Sequence, residues 1–130
     1  MNESLMKSVT ITNQNLPQAK PLKAVYCDSF LCRLRGLMFR SYLSPEEGLL
    51  LVYNRDSRID SAIHMLFMWI DLAVIWIDST GKVVDTCHAR RWRAAYVPDR
   101  PACYVLETHV ERLEDFRVGD QIYIDDTPLV

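Results

Sequence analysis

The sequence predicts a mainly β or α+β fold: a compact antiparallel sheet, partly closed like a barrel, with two or three short helices. Three observations predict it. Short apolar stretches recur along the chain, each bounded by turn residues. Helical signals are confined to one or two turns by nearby Gly and Pro. A small sheet manages its exposed edges best by curling towards closure.

The elements follow in order. Val9 and Ile11 alternate with polar residues, so Lys7 to Thr12 reads as a strand. Asn13 to Pro21 is a turn region broken by Pro17 and Pro21. Lys23 to Cys27 is a second strand, after which Asp28 or Ser29 caps a short helix through Leu34. Leu31, Leu34, Leu37 and Met38 fall on one helical stripe, and Gly36 marks the helix end. Ser44-Pro45-Glu46-Glu47 has the form of a capping box with room for a single turn before Gly48. Leu49 to Tyr53 is strand-like, and Asn54 to Asp60 is a polar loop.

Ala62 to Ile70 and Leu72 to Ile77 read as two strands, or one long strand broken at Asp71. Asp78-Ser79-Thr80-Gly81 turns the chain, and Lys82 to Thr86 returns as the second arm of a hairpin. His88 to Pro101 is a long Arg-rich loop, a length that often serves function. Tyr104 to Glu107 is a strand, and Thr108 with Glu111 forms a second capping box opening a short helix through Phe116. Gly119-Asp120 turns into a last strand, Gln121 to Ile124.

The length of 130 residues suits one domain, expected over 1–130. Apolar residues make up 49% and the formal net charge is −2, which excludes intrinsic disorder. The charge balance gives no reason to expect nucleic acid. The longest apolar run, Ile63 to Ile77, is interrupted by His64 and Asp71 and is too short to cross a membrane. A polar N-terminus without a secretory signal points to a cytoplasmic protein, a monomer or homodimer, whose four cysteines are reduced thiols.

RLRGLMFR (Arg33 to Arg40) resembles the motif of a family known as domain of unknown function 192. The resemblance continues in order through an apolar strand after Gly48, IHMLFMW (Ile63 to Trp69), and an apolar strand ending at Asp78. It then takes in GKVVD (Gly81 to Asp85), Trp92-Arg93, YVLE (Tyr104 to Glu107) and a final Gly-Asp before the last strand. It covers Val25 to Ile124. It implies a compact, mostly β domain and no particular activity. Many members carry an Asp entering the strand after the Met motif. Here that position is Ala73, and the nearest acid, Asp71, lies two residues earlier, about 7 Å along a strand.

Each candidate for chemistry has a structural counterpart. Arg35 or Arg40 beside Gly36 suits an anion clamp, or Gly36 simply caps a helix. His64, Met65 and Met68, with Met38, offer soft donors for Cu(I), but the spacing matches no metal motif, so no metal or cofactor is expected. Cys87 with His109, or Cys103 with His64, would make a nucleophile and base if the fold joined them; otherwise they are small buried hydrophobes. The arginines of the 88–100 loop, with Trp92 and Tyr96, suit an anionic ligand or a solvated loop paired to carboxylates. Glu107 suits a general base, a ligand-orienting carboxylate or an ion pair.

Two functional readings follow. The first is a small binding or interaction domain whose pocket, for an unidentified small molecule, draws on Arg35, Met38, His64, Met68, Trp92, Arg93 and Glu107. The alternative is a small hydrolase-type enzyme using His64, Glu107 or a Cys nucleophile.

Overall fold

The computed structural model describes residues 7–126; the two ends of the expected 1–130 domain lie outside them. The strands are β1 (Ser8–Asn13), β2 (Leu22–Cys27), β3 (Glu47–Ser57), β4 (Leu72–Ile77), β5 (Val83–Ala89), β6 (Ala102–Thr108) and β7 (Ile122–Asp125). Among the described residues an α-helix, α1 (Phe30–Arg35), and a 3-10 helix, Val110–Asp115, are inserted between them.

All seven strands form one sheet in the order β5-β4-β6-β3-β2-β1-β7. Every neighbouring pair is antiparallel except β2–β3, which is parallel. The sheet curls until its two edges touch. Lys82, just before β5, bridges Gln121, just before β7, and Ile122 N–H donates to Gly81 O at 2.7 Å. The result is a half-barrel.

Alternation along the strands sorts the core into two clusters. Leu50, Ala73, Ile75, Leu106, Val83 and Ile122 pack together with Val9, Ile11 and Phe116. Val83 and Ile122 come from opposite edges of the sheet, so this cluster fills the inside of the curl. Leu49, Leu51, Val74, Trp76 and Val105 point to the outer face, where α1 and irregular chain cover them.

Three local expectations are corrected, and the single turn at Ser44 is present. Ala62 to Ile70 is not a strand. It pairs only at Ile63, with Tyr96. Met65 and Met68, three residues apart, are both buried, which a period of two forbids but a turn allows. The Ser44 box forms its side-chain hydrogen bonds, Glu46 N–H to Ser44 Oγ and Ser44 N–H to Glu47 Oε1, and Glu47 N–H to Ser44 O closes the single turn expected before Gly48. Glu47 is already claimed by β3. The second short helix is capped by His109, whose Nδ1 accepts from Glu111 N–H. Thr108 instead is buried in β6 and donates its hydroxyl to Glu47 O. Last, the Leu31 and Leu34 stripe of α1 is exposed, and only Leu37 beyond the helix is buried.

The cysteines also differ from expectation. Cys27, the last residue of β2, and Cys32 in α1 form a disulfide, whereas Cys87 and Cys103 are free. Reduced thiols were expected for all four. The capped turn at Ser29 swings α1 back over the strand end and sets the two Cα atoms 5.7 Å apart, within bridging range.

Candidate functional site

A cavity of about 580 Å³ lies on the outer face, between the sheet and α1 with its C-terminal loop. That volume suits a small organic ligand. Its apolar walls include Leu37, Met38, Leu51, Ile63 and Met68, and Arg33, Arg35 and Arg55 contribute cations.

Glu107 also lines it. The residue faces outward from β6, with Leu49 and Val74 as its cross-strand neighbours. Only 4% of it is exposed. Among the described residues no donor reaches Oε1. Burial pushes its carboxyl up to about 7, because a charge there would lose its hydration without gaining a partner. A buried polar atom left unpaired costs roughly 1–3 kcal/mol, so such a group calls for an explanation.

Gly36 explains how the wall approaches it. The residue ends α1, its N–H donating to Cys32 O, with φ 52° and ψ −129°. A side chain there would place Cβ 3.3 Å from Glu107 Oε1. Glycine thus caps the helix, as anticipated, and also lets the backbone come close to the Glu107 carboxyl.

Other cavity groups are already engaged. Arg33 donates Nη1 to Asp28 O and Val52 O, and its guanidinium lies 4.9 Å from the centroid of the Tyr53 ring. Burial raises the Tyr53 hydroxyl's pKa, against the pull of Arg33. Arg55 pairs with Asp60 at 3.7 Å. His64 is tied at both nitrogens: Nδ1 accepts from Leu66 N–H, so Nε2 carries the proton and faces Leu34 O at 3.2 Å. This histidine works as a strut between the Met-rich turn and the end of α1. Arg35 is exposed and, among the described residues, its guanidinium has no ion pair or hydrogen bond.

Of the predicted pocket residues, the fold brings Arg35, Met38, His64, Met68 and Glu107 around one cavity. Trp92 and Arg93 are not on its wall. Their backbones instead clamp the Met-rich turn, with Trp92 N–H donating to Met65 O and Met65 N–H to Arg93 O. The Trp92 ring sits 5.4 Å from Phe67 and 5.7 Å from Trp69. Phe39, Phe67 and Trp92 all hold left-handed backbone, at φ 68°, 61° and 68°. Bulky residues adopt that region at a cost of about 1–3 kcal/mol each, met here by the stitched loops.

The arginine loop is anchored by Asp71. Its carboxylate accepts from Arg91 N–H at 3.0 Å and contacts His88 Nε2 at 3.0 Å. These hydrogen bonds, the Arg91 backbone first, hold its pKa below the usual carboxylate value. Neither free cysteine resembles a nucleophile. Burial, with Asp85 nearby, pushes the Cys87 thiol up to about 11; burial and Asp56 push Cys103 up to about 12. Sequence reasoning did not place Arg33, Tyr53 or Asp60 at the site. They join it only through β3 and α1, and no local pattern signals that meeting.

Comparison with known proteins adds family and fold. The family model described as DUF192, Uncharacterized ACR, matches residues 10–124. A UPF0127 protein of Thermococcus gammatolerans is 43% identical over 77% of this chain and 65% of its own length. A second, from Thermococcus kodakarensis, is 36% identical over 91% of this chain and 73% of its own. The chain thus spans just under two-thirds of the first relative. Among solved structures, a Novosphingobium aromaticivorans protein of unknown function superimposes with TM-score 0.75 at 20% identity, over 91% of this chain and 84% of that one. A Sinorhizobium meliloti protein, provisionally assigned as a transcription regulator, gives 0.78 at 22%, over 92% and 93%. At such identities the likeness speaks for the fold alone.

Proposed function

The chain belongs to the uncharacterised DUF192 family, and we propose that it is a small-molecule-binding domain whose ligand occupies the cavity under α1 and hydrogen-bonds to Glu107. The observation that carries this is the buried Oε1, unpartnered among the described residues, beside the apolar side chains of Leu37, Leu51 and Met68. A carboxyl oxygen buried there with no donor among the described residues is a stability cost without structural return, which a ligand's donor would offset.

The test is a fragment screen by 15N-detected NMR on the full chain, repeated with Glu107→Gln. Expected are fragments that shift the amides of Leu37, Met38, Ile63 and Met68 and lose at least tenfold in affinity in the variant. Fragments that shift none of these amides, or whose affinity ignores the substitution, would overturn the proposal.

A carboxyl near 7 also suits a general acid or base, which favours a second reading as a hydrolase-type enzyme. Conversion of a bound ligand, abolished by Glu107→Gln, would separate it from simple binding. We further propose that the domain is cytoplasmic, a monomer or homodimer, and has no nucleic-acid partner. Among the described residues no helix is long and apolar enough to cross a membrane. Thiol trapping in fresh lysate tests the location: a reducing cytosol should leave Cys27 and Cys32 alkylated, and a fully closed disulfide would argue for an oxidising compartment.

A further inference from the structure

Two groups of opposite character, neither with a partner among the described residues, line the cavity: the Glu107 carboxyl oxygen Oε1 and the Arg35 guanidinium. Glu107 has a buried oxygen that no donor among the described residues reaches, with apolar Leu51, Ile63 and Met68 among the lining. Arg35 is exposed where it lines the cavity and carries a guanidinium without a partner among the described residues. The two are linked through the chain: Arg35 precedes Gly36, whose backbone lies against Glu107 Oε1. The remaining lining charges do not change this picture. Arg33 is spent on two backbone carbonyls and the Tyr53 ring, and Arg55 is matched by Asp60.

Each simple ligand class fails on one of the two groups. An anion would satisfy Arg35 and leave Glu107 unpaired. A cation would satisfy Glu107 but would give the Arg35 guanidinium no acceptor. An apolar molecule would give Glu107 Oε1 no donor and the Arg35 guanidinium no acceptor. A zwitterion with an apolar middle meets all three surfaces.

Resting on the binding reading above, we propose that the cavity takes a small zwitterion of the amino-acid type, its ammonium group on Glu107 and its acid group on Arg35. The acid group meets a fork of guanidinium donors that matches a carboxylate's two oxygens. The ammonium group supplies the donor that Oε1 lacks. The aliphatic chain between them lies along Met38, Ile63 and Met68.

Matched probes test this. 4-Aminobutanoate and 6-aminohexanoate carry both ends, butanoate and hexanoate only the acid, and butylamine and hexylamine only the amine. Binding to the full chain is measured by calorimetry and by 15N-detected NMR at neutral pH. The expected result is at least a tenfold preference for one zwitterion over both of its single-ended analogues. Glu107→Gln should reduce that zwitterion to the affinity of the acid, and Arg35→Gln to that of the amine. Both variants alter side chains that line the cavity, one on β6 and one in α1, and a spectrum with unchanged β-sheet amides verifies the fold.

Equal affinity for zwitterion and acid, or for zwitterion and amine, overturns the two-ended assignment while leaving the cavity a binding site. So does a screen in which other fragments fill the cavity and none of the six probes does. Silence from every probe and every fragment overturns the binding reading itself.

Discussion

The two faces of one sheet are built on opposite terms. The inner face is lined by Leu50, Ala73, Ile75, Ile77 and Leu106, all fully buried, and is closed by the curl of the sheet and by Phe116. Its backbone groups are satisfied by strand pairing, and the polar side chains that do enter, Asn13 and Thr108, each donate to a backbone carbonyl. The outer face is covered by a six-residue helix and by loops. Irregular chain brings its own donors and acceptors into the core. Trp76 Nε1 donates to Ser61 O at 2.8 Å, and the Met-rich turn is held by Trp92 and Arg93. The outer layer also closes incompletely, leaving the cavity and Glu107. A regular sheet makes a sealed interior; a covering of turns makes a recess.

The sharpest way to break this comparison uses adjacent residues on β3. Leu50 points inward and Leu51 lines the cavity. Leu50→Ala should cost about 4 kcal/mol, since its neighbours cannot close the gap, and Leu51→Ala about 2 kcal/mol, because it already borders empty space. Urea unfolding of both variants measures the difference. Equal losses would mean that the outer face is packed as tightly as the inner.

Glu107 gives the next largest effect. Its folded-state value of about 7 lies above the ordinary 4.5, so the folded chain holds its proton more tightly than the unfolded chain. Its contribution to stability is therefore complete below pH 4.5 and is lost as pH rises through 7. The full loss is on the order of 3 kcal/mol. The stability of Glu107→Gln relative to the parent should grow across that interval and level off above it. A flat difference between pH 4.5 and 8 would show that the carboxyl is hydrated or paired in solution.

A smaller effect is expected at the disulfide. The helix buries no residue, and its sequence is too short to be stable alone. Reducing Cys27–Cys32 should cost about 2 kcal/mol on a loop-entropy basis. Hydrogen exchange should quicken over residues 30–36 and stay unchanged in β3, β4 and β6. Faster exchange throughout the sheet would place the disulfide at the centre of the fold, not at the cavity wall.

Much of this architecture is legible in the residues. Period-two alternation at Val9 and Ile11, the β-branched run Val74 to Ile77 and the turn at Asp78 to Gly81 define strands because those patterns are local. Gly36 declares a break for the same reason. The Met-rich segment was misleading: Met, Leu, Phe and Trp are equally apolar in a strand or a turn, and only the backbone of Trp92 and Arg93 decides between them. Five of the seven expected pocket residues meet at one cavity because they flank elements that the sheet brings together. Strand order decided the rest. The parallel pairing of β2 with β3 lays α1 across the outer face, and the placement of β6 between β3 and β4 carries Glu107 beneath it. Composition and periodicity determined that this chain forms a small curled sheet. Which carboxyl ends without a partner was decided by tertiary structure, because desolvation depends on what lies across the gap and not on what lies along the chain.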